Sequence, residues 1–207
     1  MSAFSRFSFS RSWLAFLCIV VTLSLAACGP SEKELQFHGS NITGSGLGNE
    51  LSMVDGDGTL RTMDSFNGKV LVVFFGFTQC PDICPTALSQ LAAAMENLGA
   101  DAEKVQVALI TVDPERDTPE VISNYVNAFD ERFIGLTGSP AQLHKTAQSF
   151  KAFYAKAKGP TPEQYTMDHS SSFYLIDGTG EARVLLRGDA TPDELVHDIQ
   201  QLLPTAS

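Results

Sequence analysis

Two cysteines, Cys80 and Cys84, are the residues of this chain whose type and spacing most clearly indicate chemistry. They are separated by three residues and lie between a continuous apolar run, residues 70–77, and a segment with helical periodicity. A cysteine at the end of a strand and the start of a helix meets free backbone N–H groups and the positive end of the helix dipole, which favour the thiolate. Thiolates attack sulfur and bind soft metals, so the pair predicts either a redox couple or part of a metal site.

A structural disulfide and a pair of buried thiols are two other interpretations of these cysteines. A structural disulfide usually stabilises a protein by closing a long loop, whereas a bond between Cys80 and Cys84 would close a very short one. Pro81 and Pro85 each follow a cysteine and would make the segment rigid. We therefore expect a prepared site rather than a structural cross-link.

Two thiolates make an incomplete metal site, and the histidines are the candidates for a third ligand. His38 lies in a polar, glycine-rich segment, and His144 and His197 lie within helical patterns. His169 lies in a predicted loop just before a strand, and loops at one edge of a parallel α/β sheet gather around the active site. His169 is therefore the expected third ligand. The neighbouring Asp168 either orients its imidazole or is only a turn residue.

The expected donor set, two soft thiolates and one imidazole, suits copper and zinc. Zinc usually takes four ligands. Three ligands suffice for Cu(I), and Cu(II) could use the same set with an added weak ligand. The donor set thus favours copper, in either oxidation state.

The N-terminal segment has the features of a targeting sequence. Arg6 and Arg11 make it basic at its start, and residues 13–25 are apolar but too few for a comfortable membrane span. The small residues just before Cys28 resemble a bacterial lipobox. We predict a lipoprotein signal peptide over residues 1–27 and lipidation of Cys28. An ordinary signal peptide cut nearby, or an uncleaved anchor, is the alternative.

This prediction decides which cysteines are available. Cys18 would be removed with the signal peptide and Cys28 would carry lipid, so that only Cys80 and Cys84 would remain as thiols. The domain would be lipid-anchored in the bacterial cell envelope and would face the periplasm or extracytoplasmic space, an oxidising compartment. A formal net charge of −10 argues against a nucleic-acid partner bound through its phosphates.

The elements that would position these residues follow the order hairpin, β-α-β-α-β-α, hairpin and helix. Residues 51–63 predict the first hairpin, around a glycine-rich turn. Continuous apolar runs predict two strands buried on both faces, and shorter strands follow; the predicted strands are 70–77, 105–112, 133–137, 152–154, 173–177 and 182–186. Helical spacing and caps predict helices over 86–98, 119–129, 140–150 and 195–203, and residues 156–164 are expected to be a surface loop.

Strands that alternate with helices indicate a mainly parallel sheet covered on both faces. The closing antiparallel hairpin and helix, with the cysteine pair after the first central strand, predict an α/β protein with a thioredoxin-like fold. Its central mixed sheet would be flanked by helices and preceded by an N-terminal hairpin. The predicted organisation is a signal peptide over 1–27, a lipid-anchored tether over 28–48 and one domain over 49–207.

Three segments together resemble the Sco/SenC family: residues 78–85 (TQCPDICP), 112–119 (VDPERDTP) and 168–170 (DHS). The resemblance covers roughly Phe37 to the C-terminus. It implies a thioredoxin-like, membrane-anchored protein that binds copper through two cysteines and a distant histidine, here Cys80, Cys84 and His169. It also implies a role at the binuclear copper site of cytochrome c oxidase, either delivering copper or reducing the cysteines of that site.

The partners that this resemblance implies are the copper-site subunit of the oxidase, other periplasmic copper chaperones and thioredoxin-like reductants. Asp113, Arg116 and Asp117 are characteristic of the second segment. Helix capping and loop ion pairing are the plain expectation for these three side chains.

A copper metallochaperone is the function we expect, with three alternatives. A thiol–disulfide oxidoreductase would suit the fold, but ordinary thioredoxins have two residues between their cysteines and a cis-proline where this chain has His169. A copper or redox sensor would use the same residues. A thiol peroxidase of the peroxiredoxin type is suggested by residues 77–81 (FTQCP), but the proline that precedes the threonine in that family is missing. We do not expect an enzyme in the ordinary sense, and the oxidoreductase activity stays open.

Overall fold

The computed structural model describes residues 35–159 and 164–203. Its strands are β1 Ser40–Asn41, β2 Ser52–Val54, β3 Leu60–Thr62, β4 Val70–Gly76, β5 Val105–Thr111, β6 Ile134–Leu136, β7 Tyr154–Ala157, β8 Thr166–His169, β9 Phe173–Ile176 and β10 Ala182–Leu186. Its α-helices are α1 Ile83–Asn97, α2 Pro119–Asn127, α3 Pro140–Phe150 and α4 Pro192–Leu202. Short 3-10 helices cover Met63–Phe66 and Gly99–Lys104.

Six strands form the central sheet in the order β1-β10-β9-β4-β5-β6. Strand β4 pairs parallel with β5, and β5 with β6, whereas β4–β9, β9–β10 and β10–β1 are antiparallel. The predicted mixed sheet is thus confirmed, but the expectation of a mainly parallel one is wrong. The reason is that the closing hairpin pairs directly with β4 and extends the sheet on that side.

Strand β4 lies in the middle of this sheet, and each of its residues is buried. Its continuous apolar sequence is what a strand covered on both faces requires. Helices α1 and α4 pack against each other, α2 packs against β6, and α3 packs against β2. The predicted N-terminal hairpin is confirmed as the separate two-stranded sheet β2–β3. Because β4 is fixed on both sides, the cysteine segment that follows it starts from a rigid point.

Helix α1 begins at Ile83, three residues before the predicted start. We expected Pro85 to precede the helix. Proline is tolerated in the first turn, however, because the N–H groups of that turn have no partner within the helix. Cys84 therefore lies inside the helix rather than in the loop before it.

The loop predicted for His169 is a strand, which corrects the sequence analysis. Strand β8 ends at His169 and pairs antiparallel with β7, in a two-stranded sheet separate from the central one. Strand β7 lies further along the chain than the predicted strand 152–154 and takes two residues from the predicted surface loop. Neither strand has an apolar run, and Met167 is the single buried residue of β8, so hydrophobic pattern could not identify them.

Part of the predicted tether belongs to the folded unit, which begins at Gln36. Ser40–Asn41 pair with β10, and the backbone N–H groups of His38 and Gly39 donate to the carboxylate of Asp198, at 2.8 and 2.9 Å. Asp198 is fully buried, so this segment satisfies a buried charge as well as a sheet edge. Its polar, glycine-rich sequence is typical of a linker, which is why the domain boundary at 49 is too late.

The predicted signal peptide 1–27, with Cys18, and the predicted lipidation site Cys28 lie outside the described residues. Within residues 35–159 and 164–203, no helix combines the length and the apolar character that crossing a membrane requires.

Candidate metal centre

Three predicted ligands come together in the structure. The sulfurs of Cys80 and Cys84 and a ring nitrogen of His169 all lie within 4.8 Å of one another. Cys84 Sγ and His169 Nε2 lie 3.6 Å apart. Cys80 lies in the loop between β4 and α1, Cys84 in the first turn of α1, and His169 at the end of β8. Segments 85 residues apart in sequence thus present two sulfurs and one imidazole to a common point.

The two cysteines, both free thiols, differ in exposure. Cys84 is fully buried, whereas Cys80 is partly exposed. Burial raises the pKa of the Cys84 thiol well above its ordinary value, and the nearby Cys80 raises it further. Burial of the Cys84 sulfur thus opposes the thiolate form that the helix start is expected to favour.

The helix N-terminus faces Cys80 instead. The backbone N–H of Cys84 donates to Cys80 Sγ at 3.4 Å. This places the positive end of the peptide dipoles next to the sulfur that solvent and partners can reach. A metal that takes both sulfurs must displace the proton of the buried thiol, which makes its binding pH-dependent.

The imidazole of His169 is oriented by the backbone. Its Nδ1 lies 2.9 Å from the carbonyl oxygen of Ser170, which leaves Nε2 to face Cys84. Asp168 is exposed, and neighbouring residues of a strand point to opposite faces. The hydrogen bond that orients the imidazole therefore comes from the Ser170 carbonyl, whereas the sequence leaves open whether the Asp168 carboxylate orients it or is only a turn residue. A carbonyl that accepts a hydrogen bond from Nδ1 fixes the tautomer of a histidine in the same way that a carboxylate does.

Two phenylalanines enclose the imidazole on its apolar side. The rings of Phe74 and Phe77 meet the ring of His169 edge to face, with centroids 6.2 and 5.8 Å away. Both phenylalanines are buried, at the end of β4 and just after it. The same run that forms the central strand therefore also packs the third ligand.

Asp117 fixes the start of the cysteine loop and does not cap a helix. It is fully buried. Its carboxylate accepts hydrogen bonds from the backbone N–H of Thr78 (3.1 Å) and from the hydroxyls of Thr78 and Thr111 (both 2.6 Å). Burial raises the pKa of Asp117, and these hydrogen bonds oppose that shift. The cap of α2 is Thr118, whose side chain accepts from the N–H of Val121.

Asp113 and Arg116 form the expected loop ion pair. Asp113 is 2% exposed, and its other carboxylate oxygen accepts from the hydroxyl of Tyr165 at 2.7 Å. Arg116 makes two hydrogen bonds beyond its ion pair with Asp113. Its Nη1 donates to the side chain of Gln79, beside Cys80, and to the carbonyl of Tyr165, just before β8.

Sequence reasoning missed three residues around the site: Gly76, Tyr165 and Ser170. A Cβ at Gly76 would lie 2.9 Å from Cys84 Sγ, so this glycine leaves room for the buried sulfur. A lone glycine in a bulky apolar strand was a usable signal, since it often marks a close approach. Nothing in the sequence indicates that Tyr165 contacts Arg116 or that the Ser170 carbonyl orients His169.

The other histidines do not join the site. His38 and His197 pack against each other with ring centroids 4.5 Å apart, and His144 lies exposed on α3. The elimination of these three residues in favour of His169 is consistent with the geometry.

A family model described as SCO1/SenC matches residues 40–204. The chain is 37% identical over 151 residues to an SCO2-like protein of Rickettsia felis, which covers 72% of this chain and 74% of that one.

Two solved structures are similar in fold and in sequence. One is that of Bradyrhizobium japonicum ScoI with copper bound (TM-score 0.71, 37% identity), which covers 76% of this chain and 99% of that one. The other is that of apo Sco1 from Thermus thermophilus (TM-score 0.74, 36% identity), which covers 83% and 100%. The central sheet with the helices around it is thus the thioredoxin-like fold that was predicted. The chain belongs to the SCO1/SenC family.

Proposed function

We propose that this protein is a copper metallochaperone that binds one copper ion through Cys80, Cys84 and His169. The observation that carries the proposal is the convergence of two sulfurs and one imidazole nitrogen within 4.8 Å. The two cysteine sulfurs are soft donors and the imidazole is a borderline one, and this combination favours copper over hard cations. Three ligands suffice for Cu(I). Cu(II) would use the same set with an added weak ligand. The copper that is bound in the related ScoI structure supports the assignment.

Copper titration of the reduced full-length protein, under a competing chelator, tests this proposal. Wild-type protein is expected to bind one equivalent. His169→Ala removes one ligand of three, so it is expected to lose more affinity than the roughly 10–100-fold that loss of a residue supporting a ligand costs. His144→Ala is the matched control, because that histidine is exposed and lies outside the site. Equal affinity of wild type and His169→Ala would exclude the three-ligand site.

We further propose that the recipient is the copper-site subunit of cytochrome c oxidase, with other periplasmic copper chaperones as donors. The resemblance in residues 78–85, 112–119 and 168–170 supports this role. The asymmetry of the cysteines suits transfer, because Cys80 is accessible while Cys84 is buried. Ile83, between them, is 50% exposed and gives a partner an apolar contact beside the site. Deletion of the gene should abolish oxidase activity, and added copper should restore it if delivery is the role.

Thiol–disulfide exchange is the second candidate, favoured by the closeness of the two free thiols and by the N–H that faces Cys80 Sγ. In that reaction the dithiol would give two electrons and two protons to a disulfide of the oxidase subunit. A Cys80–Cys84 disulfide would form, and a thioredoxin-like reductant would restore the thiols. Failure of added copper to rescue the deletion, together with exchange with a peptide disulfide, would favour this reaction over delivery. The absence of both rescue and exchange would favour a copper sensor over delivery and reduction.

We also propose that the domain is held at a membrane of the bacterial cell envelope by a lipid on Cys28, facing the periplasm or extracytoplasmic space. The basic start, the short apolar run and the small residues before Cys28 support this. In cells, the wild-type protein is expected to incorporate labelled fatty acid and to sediment with membranes. Cys28→Ala should lose the label, and a label retained by that variant would exclude the anchor.

A further inference from the structure

The third ligand lies on a hairpin with little backbone support. Within the described residues, β8 pairs with β7 alone, and this two-stranded sheet is separate from the central one. An isolated two-stranded hairpin is marginally stable in water. The cysteine loop, by contrast, continues directly from the fully buried β4. Side-chain contacts must therefore hold His169 at the distance from Cys84 that a metal requires.

Arg116 makes contacts to both ligand-bearing segments. Its Nη1 donates to the Gln79 side-chain oxygen at 2.8 Å, one residue before Cys80. The same nitrogen donates to the carbonyl oxygen of Tyr165 at 3.0 Å, immediately before β8. A loop ion pair with Asp113 would need neither contact.

The guanidinium also stacks on Tyr165, with Cζ 3.8 Å from the centroid of the ring. Buried Asp113 holds both partners, because it pairs with Arg116 and accepts the hydroxyl hydrogen bond of Tyr165. The Arg116 side chain is only 17% exposed, so water screens these contacts less than it would at an open surface. Arg116 Cζ also lies 5.8 Å from the centroid of the Phe77 ring, which packs against His169.

We propose that Arg116 is a positioning residue for the metal site, and that the Arg116–Tyr165 clasp keeps the β7–β8 hairpin against the cysteine loop. The inference rests on the proposed function, in that the site it positions is the proposed copper site. Removal of the clasp leaves both cysteines in place and lets His169 move away. The variant protein would then offer copper two ligands for much of the time instead of three.

The test compares substitutions of Arg116 in the full-length protein. Arg116→Ala removes every contact, and Arg116→Lys keeps the charge but lacks the planar fork that reaches two acceptors and stacks on an aromatic ring. Both are expected to bind Cu(I) about 10–100-fold more weakly than wild type, as outer-shell substitutions do. The Cu(II) forms should lose nitrogen hyperfine coupling in the electron paramagnetic resonance spectrum. Arg132→Ala is the matched control, because it breaks an arginine–aspartate loop pair with Asp130 elsewhere.

A second measurement uses the metal-free proteins. Amide hydrogen exchange in residues 154–157 and 166–169 should accelerate at least tenfold in Arg116→Ala and Arg116→Lys, with exchange in β4 and β5 unchanged. Wild-type copper affinity together with wild-type hairpin exchange in both variants would overturn the proposal. An equal loss of affinity in Arg132→Ala would overturn it too, since the effect would then be one of general stability. If wild-type protein failed to bind copper, the proposed function would be wrong. Amide hydrogen exchange of the β7–β8 hairpin in the metal-free proteins would still test whether Arg116 holds the hairpin in place.

Discussion

Gly76→Ala is a sharp test of the site, because this glycine lies directly against the buried sulfur. A Cβ at position 76 would lie 2.9 Å from Cys84 Sγ, 3.0 Å from Leu109 Cδ1 and 3.2 Å from Phe74 Cε1. Non-bonded heavy atoms prefer about 3.5 Å or more, so the sulfur must move by roughly 0.6 Å. Metal–ligand distances in a well-formed site match their usual values to about ±0.2 Å. A sulfur displaced by this much keeps its usual distance only if the ion or the other ligands move with it.

We expect Gly76→Ala to lose about 10–100-fold in copper affinity and about 1–3 kcal/mol of unfolding free energy through overpacking. Competition with a Cu(I) chelator and urea denaturation measure the two quantities. Gly135→Ala, in β6 and away from the site, is the matched control, since its Cβ would lie 2.7 Å from the carbonyl oxygen of Ile122 in α2. It should lose similar stability and keep its copper affinity.

Two outcomes would refute this reasoning. If Gly76→Ala kept wild-type affinity, Cys84 would not need its observed position to bind copper. If Gly135→Ala lost as much affinity as Gly76→Ala, the loss would reflect general destabilisation rather than displacement of the sulfur.

Two further predictions concern carboxylates that accept several hydrogen bonds. Asp117→Ala should lower the unfolding free energy by about 2–4 kcal/mol in urea denaturation, because it leaves the buried donors of Thr78 and Thr111 without an acceptor. Asp117→Asn keeps an acceptor at this position and should lose less stability. Burial opposes ionisation of Asp177, but hydrogen bonds from Thr179 and Arg183 outweigh it and lower its pKa. Its stabilisation is therefore present above the unfolded-state pKa, about 3.9, and is lost as pH falls through the lower folded value. Asp177→Asn should show less stability at neutral pH and a shallower loss in acid, and a profile parallel to wild type would contradict this.

The parts of the fold that hydrophobic pattern specifies were predictable from the sequence. Strands β4 and β5 are apolar at nearly every position, and the proline-started helices α2, α3 and α4 follow capping residues. These signals are local, because burial on both faces and hydrogen bonds at a helix start act over a few residues. The candidate ligands were predicted from more than residue type, since His169 was chosen among four histidines by its position before a strand and by the family resemblance.

The parts that depend on distant partners were not predictable. Strands β7 and β8 have little apolar character, and β1 forms only because β10 offers a free edge and Asp198 a buried carboxylate. The bond between Nδ1 of His169 and the Ser170 carbonyl depends on backbone direction, which residue types do not reveal. Arg116 could be expected to pair with Asp113, three residues away, but not to reach Gln79 and Tyr165.

The two sulfurs connect copper binding with redox state. A Cys80–Cys84 disulfide would use both sulfur ligands, so on the proposed function oxidation and copper binding exclude each other. Protein oxidised with diamide should fail to take copper from a competing chelator. Reduction of the disulfide should restore the binding of one equivalent of copper. Cys84→Ser, which cannot form the disulfide, separates the two effects, since it should bind weakly whether or not oxidant is added. Oxidised wild-type protein that bound copper as tightly as reduced protein would show that the sulfurs are not the ligands. Because Cys84 is buried and Cys80 is not, exchange with a partner, of copper or of electrons, must begin at Cys80.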